Sequence, residues 1–246
     1  MIEASLRKIA EDFWLSAGIP RTFPRELERA LAWVMPIAVL RIPNLWTHDV
    51  EECLRRRQLP LILGIEDRPL HGCVYAYGGK GLIIVDGTDS AEELRFTVAH
   101  EFAHFLLDYE VPRKRAIERL GPEINEVLDG HRIARVNERV DAILSAAPLG
   151  VYSHFMHRVA APDDSAVVQS ENRADRLAVE LLAPEQAIRK SLPRGFYDKP
   201  FQKRVVSLQR QLKTRFGLPH DILSRLASQL CHEWFSGPSA REWLGL

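Results

Sequence analysis

The pattern of apolar and polar positions divides the chain into a short mixed part and a long helical part. Apolar residues recur with helical spacing over residues 2–17, 24–33 and 47–58. Short runs rich in β-branched or aromatic residues, bounded by Gly or Pro, predict strands at residues 37–41, 61–65, 73–77 and 82–86. After residue 86 the pattern is helical almost throughout. We therefore expect an α+β fold with a mostly helical C-terminal half.

The last two predicted strands form a hairpin. The segment Gly78-Gly79-Lys80-Gly81 joins them, and such glycine-rich turns suit a tight connection between antiparallel strands. Tyr75 and Tyr77 share one face of the first of these strands, since successive side chains alternate between faces. Covering the core is the expected role of that face. A small antiparallel sheet is thus predicted to precede the next helix.

That next helix is marked by a capping box and by an almost continuous apolar surface. Ser90 stands at the predicted N-cap, and Glu93 follows three residues later. Nearly every position from 94 to 107 is apolar, which is typical of a helix buried on all sides. Its main polar residues are His100, Glu101 and His104. A glutamate buried between two histidines is costly unless it is paired or lies beside a metal, so an incidental surface helix is disfavoured.

These three residues form the pattern H-E-x-x-H, which predicts a metal-dependent hydrolase. Residues four apart lie on one helix face, so the imidazoles of His100 and His104 can reach one ion. Glu101 lies about 100° round the helix and can contact a water molecule as a general base without binding the metal. Zinc is the expected ion, and manganese or iron also suit nitrogen and carboxylate ligands.

A third ligand must come from elsewhere in the chain. The metzincin extension is absent, because Leu107 and Glu110 occupy the positions that would need Gly and His. The best later candidate is Glu171, on a predicted helix whose small alanines would allow close packing. Asp175, one turn further on, could hydrogen-bond the far nitrogen of a ligand histidine. Alternatively, Glu171 and Asp175 are solvated residues beside an amphipathic stripe.

Three blocks of sequence resemble the ImmA/IrrE family of bacterial and phage metallopeptidases. They are L-I-I-V-D at 82–86, R-F-T-V-A-H-E-F-A-H at 95–104, and a block from Glu171 to Pro184 with Ala174, Ala178, Leu181 and Leu182. The outline of the resemblance covers roughly residues 35–230. It implies a zincin-like, zinc-dependent endopeptidase whose usual target is a helix-turn-helix repressor of stress or mobile-element genes. It also implies His100, His104 and Glu171 as ligands and Glu101 as the base. Zincins pair extended substrate with an edge strand of the sheet.

One departure from the family is the long connection between His104 and Glu171. Sixty-six residues, 105–170, separate them, and they include a charged, helix-prone stretch at 123–147. The insert is either a helical decoration or a lid that contacts substrate. In the second case Tyr152, His154 or His157 could stabilise the oxyanion, and the sequence does not choose among them. We assign residues 1–198 to a metallopeptidase domain with insert 109–170.

The remaining residues, 199–246, form a predicted helix-turn-helix-like region that suggests a rival function. From Lys199 to Arg225 there are seven basic residues and one acid, Asp221. Helix, turn and helix over residues 212–226 are compatible with DNA binding, although a basic face around a packing motif is an alternative. A regulatory module that keeps its zinc site only for stability is a further alternative. The intact Glu101 argues against it.

Composition fits a cytoplasmic enzyme that acts on protein. The 246 residues are 46% apolar and carry no formal net charge, so no strong field for nucleic acid or membrane is expected. Cys53, Cys73 and Cys231 are odd in number and lack C-x-x-C spacing, which predicts reduced thiols. The first residues do not resemble a signal peptide, and no membrane partner is expected.

Overall fold

A computed structural model describes residues 3–20, 22–60, 66–158 and 165–235. The α+β class is confirmed. The main helices are α1 (Ala4–Ala17), α2 (Leu27–Val34), α3 (Thr47–Arg56), α4 (Ala91–His104), α5 (Val111–Leu120), α6 (Asn125–Leu128), α7 (Val136–Ser145), α8 (Ser165–Leu182), α9 (Glu185–Lys190), α10 (Phe201–Thr214) and α11 (His220–Phe235). A π-helical segment, Phe105–Glu110, continues α4, and a 3₁₀ turn spans Pro122–Ile124. The strands are β1 (Ile37–Ile42), β2 (Leu70–Tyr77), β3 (Lys80–Asp86) and β4 (Tyr152–His157).

The four strands form one mixed sheet in the order β1-β3-β2-β4. Strands β2 and β3 are the predicted antiparallel hairpin, closed at Gly78 and Gly79 with φ of 59° and 73°. Strand β1 instead pairs parallel to β3. The chain reverses once between β1 and β2, through α3, and again in the β2–β3 hairpin, so β1 and β3 run in the same direction. Strand β4 comes from the insert and pairs antiparallel with β2. The sheet therefore takes one strand from the chain after α4, and it is not antiparallel throughout, whereas an antiparallel sheet was expected before α4.

Helix α4 packs against the sheet at short range. Its N-terminus has the predicted capping box, in which the Ser90 hydroxyl accepts from the Glu93 amide and the Glu93 carboxylate accepts from the Ser90 amide. A Cβ atom at Gly72 would lie 2.6 Å from Cγ2 of Thr97 on α4. A Cβ atom at Gly81 would lie 3.0 Å from the ring of Phe105. Both glycines thus make room for the helix.

Two apolar clusters cover the two faces of the sheet. The larger joins α1, α2, α4, α8, α10 and α11 with one sheet face. The smaller lies under α3 and includes Cys53, Cys73 and Tyr75. Tyr75 is buried and donates its hydroxyl hydrogen to the carbonyl of Pro60, so its expected core role is confirmed. All three cysteines are free and buried, which agrees with the reduced thiols expected from the sequence.

The insert is less regular than the sequence suggested. The helix-prone stretch at 123–147 is helical in separate pieces, because Gly130 adopts a positive φ of 73° and separates α6 from α7. The amide of His131 instead bonds the carbonyl of Glu126, closing the turn. The insert also supplies β4, so it is not only a helical decoration. The strand expected at 61–65 falls outside the described residues.

The C-terminal helices α10 and α11 pack on each other and on the rest of the molecule. Their buried residues belong to the same apolar cluster as those of α4, and Arg95 on α4 donates to the carbonyl of Gly217 at 2.8 Å. The core is thus continuous across residue 198, and the domain boundary placed there stays a prediction. Within the described ranges, no helix has both the length and the apolar character needed to cross a bilayer.

Candidate metal centre

His100 and His104 lie one turn apart on α4 and turn their rings toward one point. Their ring centroids are 4.8 Å apart, and both residues are buried. The spacing of four along a helix brings them together without help from any other element. The most reliable part of the sequence pattern therefore corresponds to two adjacent imidazoles in the structure.

Glu171 reaches the same point from α8. Its Oε2 lies 3.2 Å from Nε2 of His100, and its Oε1 lies 3.4 Å from Nε2 of His104. Ala174 and Ala178 on the same helix are fully buried, and their small side chains allow α8 to lie close to α4. The structure thus brings together the three residues predicted as ligands.

A carboxylate lies behind each histidine. Asp175 contacts Nδ1 of His100 at 3.1 Å, and Asp108 contacts Nδ1 of His104 at 2.8 Å. When Nδ1 donates to a carboxylate, the lone pair of Nε2 is left for another partner. Among the described residues, neither buried Nε2 atom has a partner with hydrogen-bond geometry. A buried polar atom without a hydrogen bond needs another partner, and a metal ion would be a suitable one.

His154 brings a fourth nitrogen to the cluster from β4. Its Nε2 lies 2.8 Å from Oε1 of Glu171, and its ring stacks on His104 with centroids 3.6 Å apart. The ligand atoms of His100, His104, His154 and Glu171 all lie within 4.8 Å of one another. Two buried and two half-buried residues with ligand chemistry thus surround a position that could hold one metal ion.

The spacing of Glu171 from His100 and His104 fits a transition metal. Tetrahedral bonds of about 2.0–2.2 Å place neighbouring ligand atoms about 3.4 Å apart. The distances from Glu171 to the two histidines of α4, 3.2 and 3.4 Å, agree with that value. Imidazole and carboxylate donors suit zinc, and they also accept manganese or iron. The cluster could therefore hold a metal, and the identity of the ion stays a prediction.

Residues 62–132 match the family model Peptidase_M78, described as the IrrE N-terminal-like domain. This part of the chain is similar to the ImmA/IrrE metallopeptidases. The ImmA/IrrE match contains His100, Glu101 and His104, and it ends before His154 and Glu171. No curated protein matches the chain.

The ImmA/IrrE resemblance and the zincin-like fold expected from the sequence are confirmed by this match. The match also supports a metallopeptidase. The individual roles of Glu101, Glu171 and Asp175 stay predictions, because the match does not test them. Glu101 is fully buried beside the histidines, and both of its carboxylate oxygens face His154, at 3.1 and 3.2 Å from Nδ1.

Negative charge dominates the ImmA/IrrE site when no metal is bound. Burial opposes the charged form of His100, but Asp175, Glu171 and Glu101 outweigh it and raise the pKa of His100 to about 9. Burial likewise opposes charging of His154, and Glu101 and Glu171 raise its pKa to about 10. Protons on His100 and His154 thus offset the negative charge of the neighbouring carboxylates in the metal-free protein. Metal binding must displace those protons.

The structure distinguishes the three oxyanion candidates of the insert. Tyr152 and His154 lie on the face of β4 that packs toward α4, and His157 lies on the other face beside Phe155. Tyr152 donates to Asp108 at 3.1 Å, and burial together with that carboxylate raises the pKa of Tyr152 above its usual range. Tyr152 is therefore a neutral donor near the metal centre.

Two residues of the site were not named as ligand or partner from the sequence. Asp108 stands four residues after His104, and this helical spacing was a usable signal. His154 was named only as an oxyanion candidate. Its position beside Glu171 depends on the pairing of β4 with β2, which no local pattern reveals.

Proposed function

We propose that the chain is a zinc-dependent endopeptidase that cuts a specific protein in the cytoplasm. One observation supports this most directly. The Nε2 atoms of His100 and His104 and the carboxylate of Glu171 converge on one point, with Glu101 beside it. Two helices and two supporting carboxylates hold this arrangement, which suits a catalytic ion more than an incidental cluster.

Zinc, when bound, supplies an acidified water and a Lewis acid for the scissile carbonyl. His100, His104 and Glu171 would hold the ion. Glu101 would take a proton from the attacking water and give it to the leaving amine, since it is the nearest carboxylate that is not in the ligand set. Asp175 and Asp108 would keep the two histidines in the tautomer that leaves Nε2 free.

The proposed substrate is a helix-turn-helix repressor of stress or mobile-element genes. The family resemblance supports this choice, and the basic residues between Lys199 and Arg225 offer a surface for an acidic part of a folded partner. Cleavage of a compact repressor would fall in an exposed loop or linker, because most of its other peptide bonds are buried.

The test is to incubate the zinc-loaded protein with the repressor encoded beside it and to identify fragments by mass spectrometry. We expect one cut, which is lost when Glu101→Gln protein or a metal chelator is used. An intact repressor after prolonged incubation with several co-encoded candidates would overturn the choice of substrate. Hydrolysis of casein without selectivity would instead indicate a general peptidase.

DNA binding by the C-terminal region remains the rival proposal, since α11 has one buried face and one exposed face that includes Ser224, Arg225 and Gln229. Leu223, Ala227 and Leu230 of this second helix are buried in the core, and Arg225 is engaged by Asp175. A recognition helix needs exposed side chains for base edges. Binding to duplex DNA that falls steeply with added salt, without cleavage of any protein, would favour the rival.

A further inference from the structure

Strand β4 occupies the edge of the sheet that an extended peptide would otherwise use. In the order β1-β3-β2-β4, strand β2 would be the edge strand if β4 were absent. Strand β4 is antiparallel to β2 along residues 70–77 and provides its main-chain partners. Extended peptides add to exposed edges by the same main-chain hydrogen bonds. The insert therefore covers the edge next to the metal centre.

We infer that His154 is a fourth metal ligand, and that β4 carries it into the site in the place of a bound peptide. This inference rests on the proposed peptidase function. The Nε2 atom of His154 lies within the same ligand cluster as His100, His104 and Glu171. A catalytic zinc has three protein ligands and an open position, whereas four protein ligands close the site. The described conformation is thus the closed form of the enzyme.

The contacts of Glu101 support the same conclusion. Both of its carboxylate oxygens lie within hydrogen-bond distance of Nδ1 of His154, at 3.1 and 3.2 Å. The opposite nitrogen of that ring lies 2.8 Å from Glu171. The imidazole thus lies between the proposed base and the proposed third ligand, where an attacking water would have to be. While His154 stays there, Glu101 has no access to water.

Strand β4 is an edge strand, and it is less buried than its neighbour β2. Every residue of β4 is half-buried, whereas most of β2 is fully buried. In the described part of the chain no strand pairs with its outer side. Polar contacts hold its two ends, from Tyr152 to Asp108 and from Arg158 to Asp86 and Asp89. Displacement of β4 would have to break these contacts, of which the Arg158–Asp86 pair is largely buried.

The ligand itself can be counted by X-ray absorption at the zinc edge. We expect three imidazoles in the zinc-loaded wild-type protein and two, with an added water oxygen, in His154→Ala. The control is His157→Ala, which changes the other face of the same strand and should keep three imidazoles. Two imidazoles in the wild-type protein would overturn the inference.

The strand can be tested by locking it in place. Cys73 on β2 pairs directly with Phe155 on β4, so Phe155→Cys places two thiols opposite each other. Paired Cα atoms of antiparallel strands lie about 4.5–5.5 Å apart, within the range of a disulfide. The Cys53→Ala background removes the thiol that shares the apolar cluster with Cys73. Diamide closes the bond, and dithiothreitol opens it.

We expect the oxidised protein to release zinc to a coloured chelator at least tenfold more slowly than the reduced protein, and to lose repressor cleavage. Equal zinc release and equal cleavage in both forms would overturn the inference while leaving the proposed function intact. If the lock controls zinc release but no form cuts any repressor, the closed metal centre stands and the proposed substrate fails.

Discussion

At the scale of single residues, the site is a balance between imidazoles and carboxylates. His100 and His104 each have a carboxylate at Nδ1, and His154 has one at each nitrogen. The carboxylates fix the tautomers of the histidines, and they also supply the negative charge that a bound cation would offset. Each residue can therefore be tested by removing one charge and measuring either chemistry or metal affinity.

Glu101→Gln tests the base. The amide keeps the shape of the side chain but cannot take a proton, so we expect cleavage to fall by roughly 10²–10⁴ with zinc content unchanged. The rate is measured on the repressor, and zinc by elemental analysis. Near-normal cleavage by this variant would remove Glu101 from the mechanism.

Asp108→Ala tests the carboxylate that sequence analysis did not name. Losing the partner of a ligand histidine commonly costs about 10–100-fold in metal affinity, and we expect a loss of that size in competition titrations with a chelator. Glu110→Ala, which removes a carboxylate paired with Lys114 on the same helical stretch, is the matched control. Equal affinity in the two variants would contradict a supporting role for Asp108.

The sequence predicted the parts of the site that depend on helical spacing. His100, Glu101 and His104 follow from a period of about 3.6 residues, and Glu171 and Asp175 from a similar stripe together with the family resemblance. The position of His154 depends on which strand pairs with β2. That pairing is a long-range contact, and the segment around His154 has no alternation strong enough to reveal it.

At the scale of elements, Asp86 joins several segments at the end of β3. Its carboxylate accepts from the backbone amides of Asn44 and Leu45, from Thr88 and from Arg158. Burial alone would raise the pKa of Asp86, but these hydrogen bonds and the guanidinium of Arg158 outweigh it and hold the pKa well below its usual range. The Asp86 carboxylate thus links the end of β3 to the loop after β1 and to Arg158, the residue that follows β4.

Asp86→Asn should destabilise the protein by about 2 kcal/mol at pH 7, because charge-assisted hydrogen bonds are lost from a buried site. A carboxyl whose pKa is lowered on folding stabilises the fold above its unfolded pKa of about 4, and that stabilisation is lost as the pH falls below it. The difference between wild type and variant should therefore shrink from pH 7 to pH 3.

Urea denaturation at both pH values measures this difference. Glu52→Gln, which removes an exposed pair with Arg56, should change stability by less than about 0.5 kcal/mol. If the loss in free energy of unfolding caused by Asp86→Asn stays constant with pH, the site requires the shape of the side chain and not its charge.

At the scale of the whole molecule, the candidate metal centre joins parts that are distant in the sequence. His100 and His104 lie on α4, Glu171 on α8 and His154 on β4, and Asp175 in turn contacts Arg225 of α11. Helix content and the small sheet were predictable from periodicity. The parallel direction of β1 and the fourth strand were not, because they depend on how the chain returns to the sheet.

Zinc should raise the melting temperature. An ion at about a thousand times its Kd adds about 4 kcal/mol to folding. For a chain of this size that corresponds to an increase on the order of 10 °C. Scanning calorimetry with and without chelator measures it. The increase should vanish in Glu171→Ala and persist in His48→Ala, which alters an exposed histidine paired with Asp67.

The intact substrate should be cut better than its fragments. If folded surfaces of the repressor displace β4, a short peptide spanning the cut site lacks the means to do so. We expect kcat/KM for the peptide to be at least tenfold lower than for the repressor. In His154→Ala protein the gap should narrow, since the imidazole no longer competes. Equal rates for peptide and repressor in the wild type would contradict recognition by folded surfaces.

Gly72 and Gly81 have no side chains at the places where the sheet meets α4 and Phe105. Their small size therefore sets the distance between the sheet and the candidate ligands His100 and His104. An added methyl group at Gly72 would meet Thr97 at 2.6 Å, so α4 would have to move outward and take His100 and His104 with it. Misplacement by about 1 Å can cost roughly a hundredfold in rate. Gly72→Ala should therefore lower the reaction rate without removing any catalytic group. It would act by changing the distance between the peptide bond and the attacking water.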